Sequence, residues 1–267
     1  MSATRRVLVL HGRTQNASVF RKKLRGLIQQ AQDVELVFLD APHKLESTEI
    51  PRQSSTLGGA SSSSEEPTPR TWWIWNEEPW TAVGLEETLV YMRDKLKNGR
   101  FEGVMGFSMG AALAAFLSAL LEHPERYPPF LVDGHAPHPP FKFCVAVSGF
   151  KIPVPLFTKI FSSGYSTPTL HVIGKADTMI TEIWTKTLLD VSLSRRLETH
   201  DGGHFFPSDS NWSVFIAEYL RSGPNPDIPS PSVIKARQSA PSSAMALESF
   251  RPVKEEEANA NTRRAFL

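Results

Sequence analysis

The stretch from 103 to 121 restricts the fold more than any other part of this chain. Gly103 to Phe107 has no polar alternation, and Met109 to Leu121 is almost wholly apolar and rich in Ala and Leu. A helix that is apolar on every side must be buried deeply, and a short strand without a polar face must be covered on both sides. Between the two runs stands Ser108, with Gly106 and Gly110 two residues away on either side. A strand that turns directly into a helix at such a serine makes a sharp, strained bend. Glycines on its flanks let the backbones approach and leave the hydroxyl presented at the end of the sheet.

The rest of the chain repeats the alternation. Val7 to Leu10, Leu36 to Leu39, Phe143 to Val147, Leu170 to Ile173 and Arg195 to Thr199 read as strands. Leu24, Leu27 and Ile28 mark a helical face. Leu85, Leu89, Met92 and Leu96 give an amphipathic helix, and Ile183 to Leu189 and Trp212 to Leu220 give two more. Strands alternating with helices predict an α/β fold with a mostly parallel central sheet and helices on both faces. The expected domain spans 1–222. A Ser- and Gly-rich stretch at 44–70 is expected to be a flexible excursion, and 223–267, rich in Pro, Ser, Ala and Glu, a disordered tail.

In this strand–turn–helix arrangement the catalytic partners follow in the order Ser, acid, His. His204 sits in Asp201-Gly202-Gly203-His204-Phe205, after the last strand, where glycines let a loop carry an imidazole back over the sheet. Asp177 is the only acid in the turn Lys175-Ala176-Asp177 after the strand before it, and Asp201 is its rival. The reading is nucleophile Ser108, base His204 and acid Asp177. An oxyanion hole would combine the backbone N–H of Met109, at a helix N-terminus, with that of Arg13 in the His11-Gly12-Arg13-Thr14-Gln15 loop; Thr14 is the second choice. The chemistry is acyl transfer. His204 takes the serine proton, an acyl-enzyme forms, and His204 then activates water.

Net charge is +1 with both signs interspersed, which leaves no footprint for nucleic acid. No apolar run reaches membrane-spanning length, and the run after Arg6 is too short for a signal segment, so stable membrane insertion is not expected and the expected location is cytoplasmic. Cys144, the single cysteine, lies in an apolar run and reads as a buried thiol. His123, His135 and His138 lie in a Pro-rich stretch that resembles a surface loop more than a ligand frame, so no metal and no organic cofactor are expected. Trp72, Trp73, Trp75 and Trp80 form an aromatic cluster that can either wall an acyl site or anchor a loop. The stretch from Ile152 to Phe161 can line an entrance. Oligomeric state is left open.

Several further motifs, in order, resemble the FSH family of serine hydrolases, the group that takes in the fungal FSH proteins and the ovarian-tumour-candidate hydrolase. These are Pro42-His43, Trp72-Trp73, Gly84-Leu85-Glu86-Glu87, Phe101 to Ser108, Val147-Ser148-Gly149-Phe150 and Gly202-Gly203-His204. The resemblance covers about residues 5–221. It implies the α/β-hydrolase fold, with Ser108, Asp177 and His204 in the triad positions. Many relatives carry Gln where this chain has Met109, which acts through its backbone. The implied activity is hydrolysis of carboxylic esters, with medium or long acyl chains favoured by the aromatic cluster. A thioesterase releasing acyl or polyketide chains from a carrier protein or coenzyme A is the alternative. A non-catalytic binding module on the same fold ranks third, since such proteins usually lose a triad member.

Overall fold

The computed structural model describes residues 5–46 and 68–239. Six strands form one sheet: β1 (Arg5–Leu10), β2 (Val34–Leu39), β7 (Gly103–Phe107), β8 (Phe143–Val147), β9 (Thr169–Gly174) and β10 (Arg195–His200). Their order is β10-β9-β8-β7-β1-β2, and every pairing is parallel. Two antiparallel pairs lie outside the sheet. β3 (His43–Lys44) pairs with β4 (Arg70–Thr71), and β5 (Ile74–Glu77) with β6 (Trp80–Val83).

Side-chain alternation along the strands divides the core into two layers. Leu8, Leu10 and Val104 face the first layer with α3 (Leu85–Lys97), α4 (Met109–Glu122), α5 (Pro155–Ile160) and α6 (Glu182–Leu189). Val7, Val9, Met105 and Phe107 face the second. That layer is covered by α1 (Ala17–Lys23), α2 (Arg25–Gln30), α7 (Ser210–Ser222) and α8 (Pro231–Ser239). α4 is buried from Met109 to Leu121, as its composition demands, because it lies against β7, β8, β1 and α5 at once.

The chain leaves β1 for the edge strand β2 and later returns to β7 on the other side of β1. Such a reversal opens a crevice at the carboxyl ends of the two middle strands, where open α/β sheets place their sites. The His11–Gln15 loop and Ser108 follow β1 and β7 directly.

Two expectations need correction and one falls largely outside the described residues. The tail does not begin at 223. Ile228 is buried, Arg196 donates to its carbonyl at 2.8 Å, and α8 packs on α7. Gly, Pro and Ser masked the few apolar residues, Ile228, Pro231 and Ile234, that dock this segment. Residues 240–267 lie outside the description. The segment 152–161 is core rather than entrance: Ile152, Val154, Phe157, Ile160 and Phe161 are all buried in the first layer. Of the excursion at 44–70, residues 47–67 are outside the description, and its two ends pair as β3 and β4.

Candidate active site

Ser108 caps α4 with φ 54° and ψ −122°, a left-handed conformation that few non-glycine residues adopt. The flanking glycines make it sterically feasible. A Cβ on Gly106 would lie 2.2 Å from the Gly110 carbonyl oxygen, and one on Gly110 would lie 2.3 Å from that of Leu10. The Ser108 amide donates to Val147 at 2.8 Å, which ties the turn to the neighbouring strand. Ser108 is only 9% exposed.

Ser108 Oγ lies 3.0 Å from His204 Nε2, and His204 Nδ1 lies 2.7 Å from Asp177 Oδ2. An ionised carboxylate only accepts, so Nδ1 carries the hydrogen and Nε2 is left to receive the hydroxyl proton. The ring of Phe107 lies 4.9 Å from that of His204 and supports it from the strand side. The loop carrying His204 is laced to the loop carrying Asp177: Lys175 donates to His200 O at 2.8 Å, and Ala176 to Gly202 O at 3.0 Å. Asp201, the rival acid, points into solvent and pairs with Lys175 at 2.8 Å.

Asp177 is buried and fully engaged. Oδ1 accepts the amides of Met179 at 3.0 Å and Ile180 at 2.8 Å. Oδ2 accepts His204 and, at 3.0 Å, the hydroxyl of Ser148. Burial pushes the carboxyl up, but the bonds from His204, Ile180 and Ser148 outweigh it and hold the group below the usual carboxylate range.

The loop after β1 is braced from behind. Ala41 donates to His11 Nε2 at 3.0 Å, so Nδ1 bears the hydrogen and donates to the Gly12 carbonyl at 2.8 Å. The Gln15 amide reaches the same carbonyl at 3.2 Å. Burial lowers His11 to about 4, which keeps the ring neutral and this tautomer fixed. In a trans peptide the N–H points opposite the C=O, so pinning the Gly12 carbonyl orients the Arg13 amide. A Cβ on Gly12 would lie 3.4 Å from Ser108 Cβ, so the loop passes beside Ser108. Thr14 drops out as the donor because its amide is spent on Arg70 O at 2.9 Å. Met109 opens α4, where the first backbone amides have no partner within the helix.

The tryptophans divide into two pairs. Trp72 and Trp73 are completely buried, and Trp72 donates to His11 O at 2.8 Å. Trp75 and Trp80, on the β5–β6 hairpin, are half-buried and pack tilted against Trp184 of α6 at 6.2 and 5.4 Å. Phe150, just beyond β8, joins them 5.3 Å from Trp75. Met179, whose amide donates to Asp177, is exposed at 69%, and Ile183, near the start of α6, at 80%. His138 is a core residue whose ring accepts the Phe101 amide at 3.0 Å. Among the described residues no three His, Cys, Asp or Glu side chains gather as a metal site, and no helix is long and apolar enough to cross a membrane.

The sequence reading named Ser148 and His11 within motifs but gave neither a role, and it did not single out Trp184. A serine directly after a buried strand was the available signal for Ser148; nothing local marks the other two.

Residues 1–216 match the family described as "Serine hydrolase (FSH1)". The chain is 31% identical over 230 residues to "Esterase OVCA2" of Danio rerio, an alignment covering 81% of this chain and 96% of that one. It is 35% identical to "Esterase OVCA2" of Mus musculus, with the same shares covered. Among solved structures, Zea mays acyl-protein thioesterase 2 superposes with a TM-score of 0.55 at 17% identity, covering 84% of this chain and 96% of that one, which shows a shared fold. The chain belongs to the FSH1 family of serine hydrolases.

Proposed function

We propose that this protein hydrolyses carboxylic esters through Ser108, His204 and Asp177. The observation that carries the reading is the unbroken relay of 3.0 and 2.7 Å from hydroxyl to imidazole to buried carboxylate. His204 Nε2 removes the Ser108 proton as Oγ attacks the ester carbonyl. The amides of Met109 and Arg13 receive the developing oxyanion. His204 returns the proton to the leaving alcohol, then deprotonates a water that releases the acid from the acyl-enzyme. Asp177 holds the tautomer and stabilises the imidazolium. The relatives named as esterases support the choice of ester over other acyl compounds.

The acyl group is medium or long and apolar. Support comes from the half-buried rings of Trp75, Trp80 and Trp184, with Phe150 against them and Met179 and Ile183 beside the acid loop. The same triad serves thioesters, including acyl groups on a carrier protein or coenzyme A. The reaction needs no cofactor. We place the protein in the cytoplasm, where Cys144, buried with its thiol pushed up to about 12 by burial, would stay reduced.

A fluorophosphonate probe is expected to label the wild type and not Ser108→Ala. A p-nitrophenyl series from acetate to palmitate is expected to peak beyond butyrate. A folded wild type that never labels removes the enzyme, and a preference for acetate removes the apolar acyl site.

A further inference from the structure

The ends of β7 and β8 share one device. Phe107 and Val147 are partners in register, and each is followed by a serine with positive φ, 54° at Ser108 and 50° at Ser148. Each serine amide donates to the strand beyond, Ser108 to Val147 O at 2.8 Å and Ser148 to Val172 O at 2.9 Å. Ser148 is buried, and its hydroxyl donates to Asp177 Oδ2, the oxygen that also receives His204 Nδ1. We propose that Ser148 is a positioning residue, a hydroxyl fixed to the sheet that sets the Asp177 oxygen on which His204 is oriented. The proposal rests on the hydrolase reading above.

The geometry separates this role from mere satisfaction of a buried hydroxyl. The other three donors to Asp177 all come from loops. Met179 and Ile180 lie on the acid's own turn, and His204 is the group whose position has to be set. Ser148 alone brings a donor from the end of a central strand, so it refers the carboxylate to the same rigid frame that holds Ser108. With it, each carboxylate oxygen accepts two donors, and together they resist rotation of the group. Without it, Oδ2 has only the imidazole, and the pair can drift together. A donor on Oδ2 also shares its negative charge. Removing that donor makes Asp177 the stronger acceptor for the imidazolium. The nearby titratable groups are His200 at the foot of the His204 loop and the exposed Lys175–Asp201 pair; Asp209 lies further along, at the start of α7.

The test uses Ser148→Ala, Ser148→Gly and Ser148→Thr in the full chain. Glycine adopts positive φ freely, so Ser148→Gly keeps the turn and loses only the hydroxyl. In both Ser148→Ala and Ser148→Gly, kcat on a p-nitrophenyl ester is expected to fall about tenfold with KM within about twofold. The acidic limb of kcat/KM should move to higher pH in both. Ser148→Thr keeps a donor and should recover most of kcat. If Ser148→Gly keeps wild-type kcat and pH profile, the residue matters only to the turn and the proposal falls. If wild type labels with fluorophosphonate while all three variants match it in rate, the positioning role alone is overturned. If wild type neither labels nor hydrolyses, the underlying reading fails and takes this one with it.

Discussion

The two halves of the site are held by different forces. Ser108, Met109 and the Gly12–Arg13 peptide sit at the reversal between β1 and β7, where backbone meets backbone at van der Waals limits and almost every side chain is buried. Asp177 and His204 come from loops after β9 and β10, held by hydrogen bonds between loops and bordered by exposed Met179, Ile183 and Phe205. One half is fixed by packing, the other by directed bonds. Damage to the first should register as lost stability, and damage to the second as lost turnover from a folded protein.

The sharpest way to break that contrast is Asp177→Asn. It keeps the volume but favours the wrong histidine tautomer, so kcat should fall about ten-thousandfold while the circular dichroism spectrum and cooperative melting persist. An unfolded variant would show that the acid loop is structural after all. Gly110→Ala is next and opposite in kind. Its methyl would meet the Leu10 and His11 carbonyl oxygens at 2.3 and 2.5 Å. Backbone has no room to give, so denaturant unfolding should show a loss of about 3 kcal/mol or more.

Acid should strain the packed frame in a predictable direction. His11 and His171 are wholly buried, and burial lowers them to about 4 and about 3. Their value in the unfolded chain is about 6.5, so below that pH the unfolded state binds more protons. Their contribution to stability is complete above about pH 6.5 and is lost as pH falls toward about 4, at up to about 1.4 kcal/mol per pH unit for each ring. His171→Leu should remove about half of that slope in melting temperature against pH. An unchanged slope would locate the acid sensitivity in the loops. The smallest effect is at the rim. Trp184→Ala should raise KM for a long-chain ester about tenfold and barely alter acetate hydrolysis.

The legible parts of the chain were those where local pattern and burial agree. β7 and β8 have the residues expected from their apolar runs, and the Gly-x-Ser-x-Gly turn lies between two elements that could only be internal. Asp177 was reachable only through chain order, since an acid after a glycine usually forms a turn. Ser148 was opaque because its significance depends on a carboxylate delivered by the next strand. The β5–β6 hairpin escaped notice because Trp-Ile-Trp followed by Asn-Glu-Glu-Pro-Trp has no clean alternation, and its rings pack on α6 and Phe150, far along the sequence. The stretch 152–161 was read as an entrance, yet it carries α5, with Pro155 at the first helical position, where its missing N–H costs nothing.

The small β3–β4 ladder joins residues 43–44 to residues 70–71, and it is bonded directly to the loop that passes Ser108. Arg70 pairs with Lys44, accepts the Thr14 amide and donates its own amide to Gln15. The Thr14–Gln15 end of the loop that passes Ser108 is therefore tied by two backbone bonds to this stem. Breaking the stem would release that end of the loop, and the order of the Gly12–Arg13 peptide beside Ser108 would then depend on the His11 ring and the Gln15 amide.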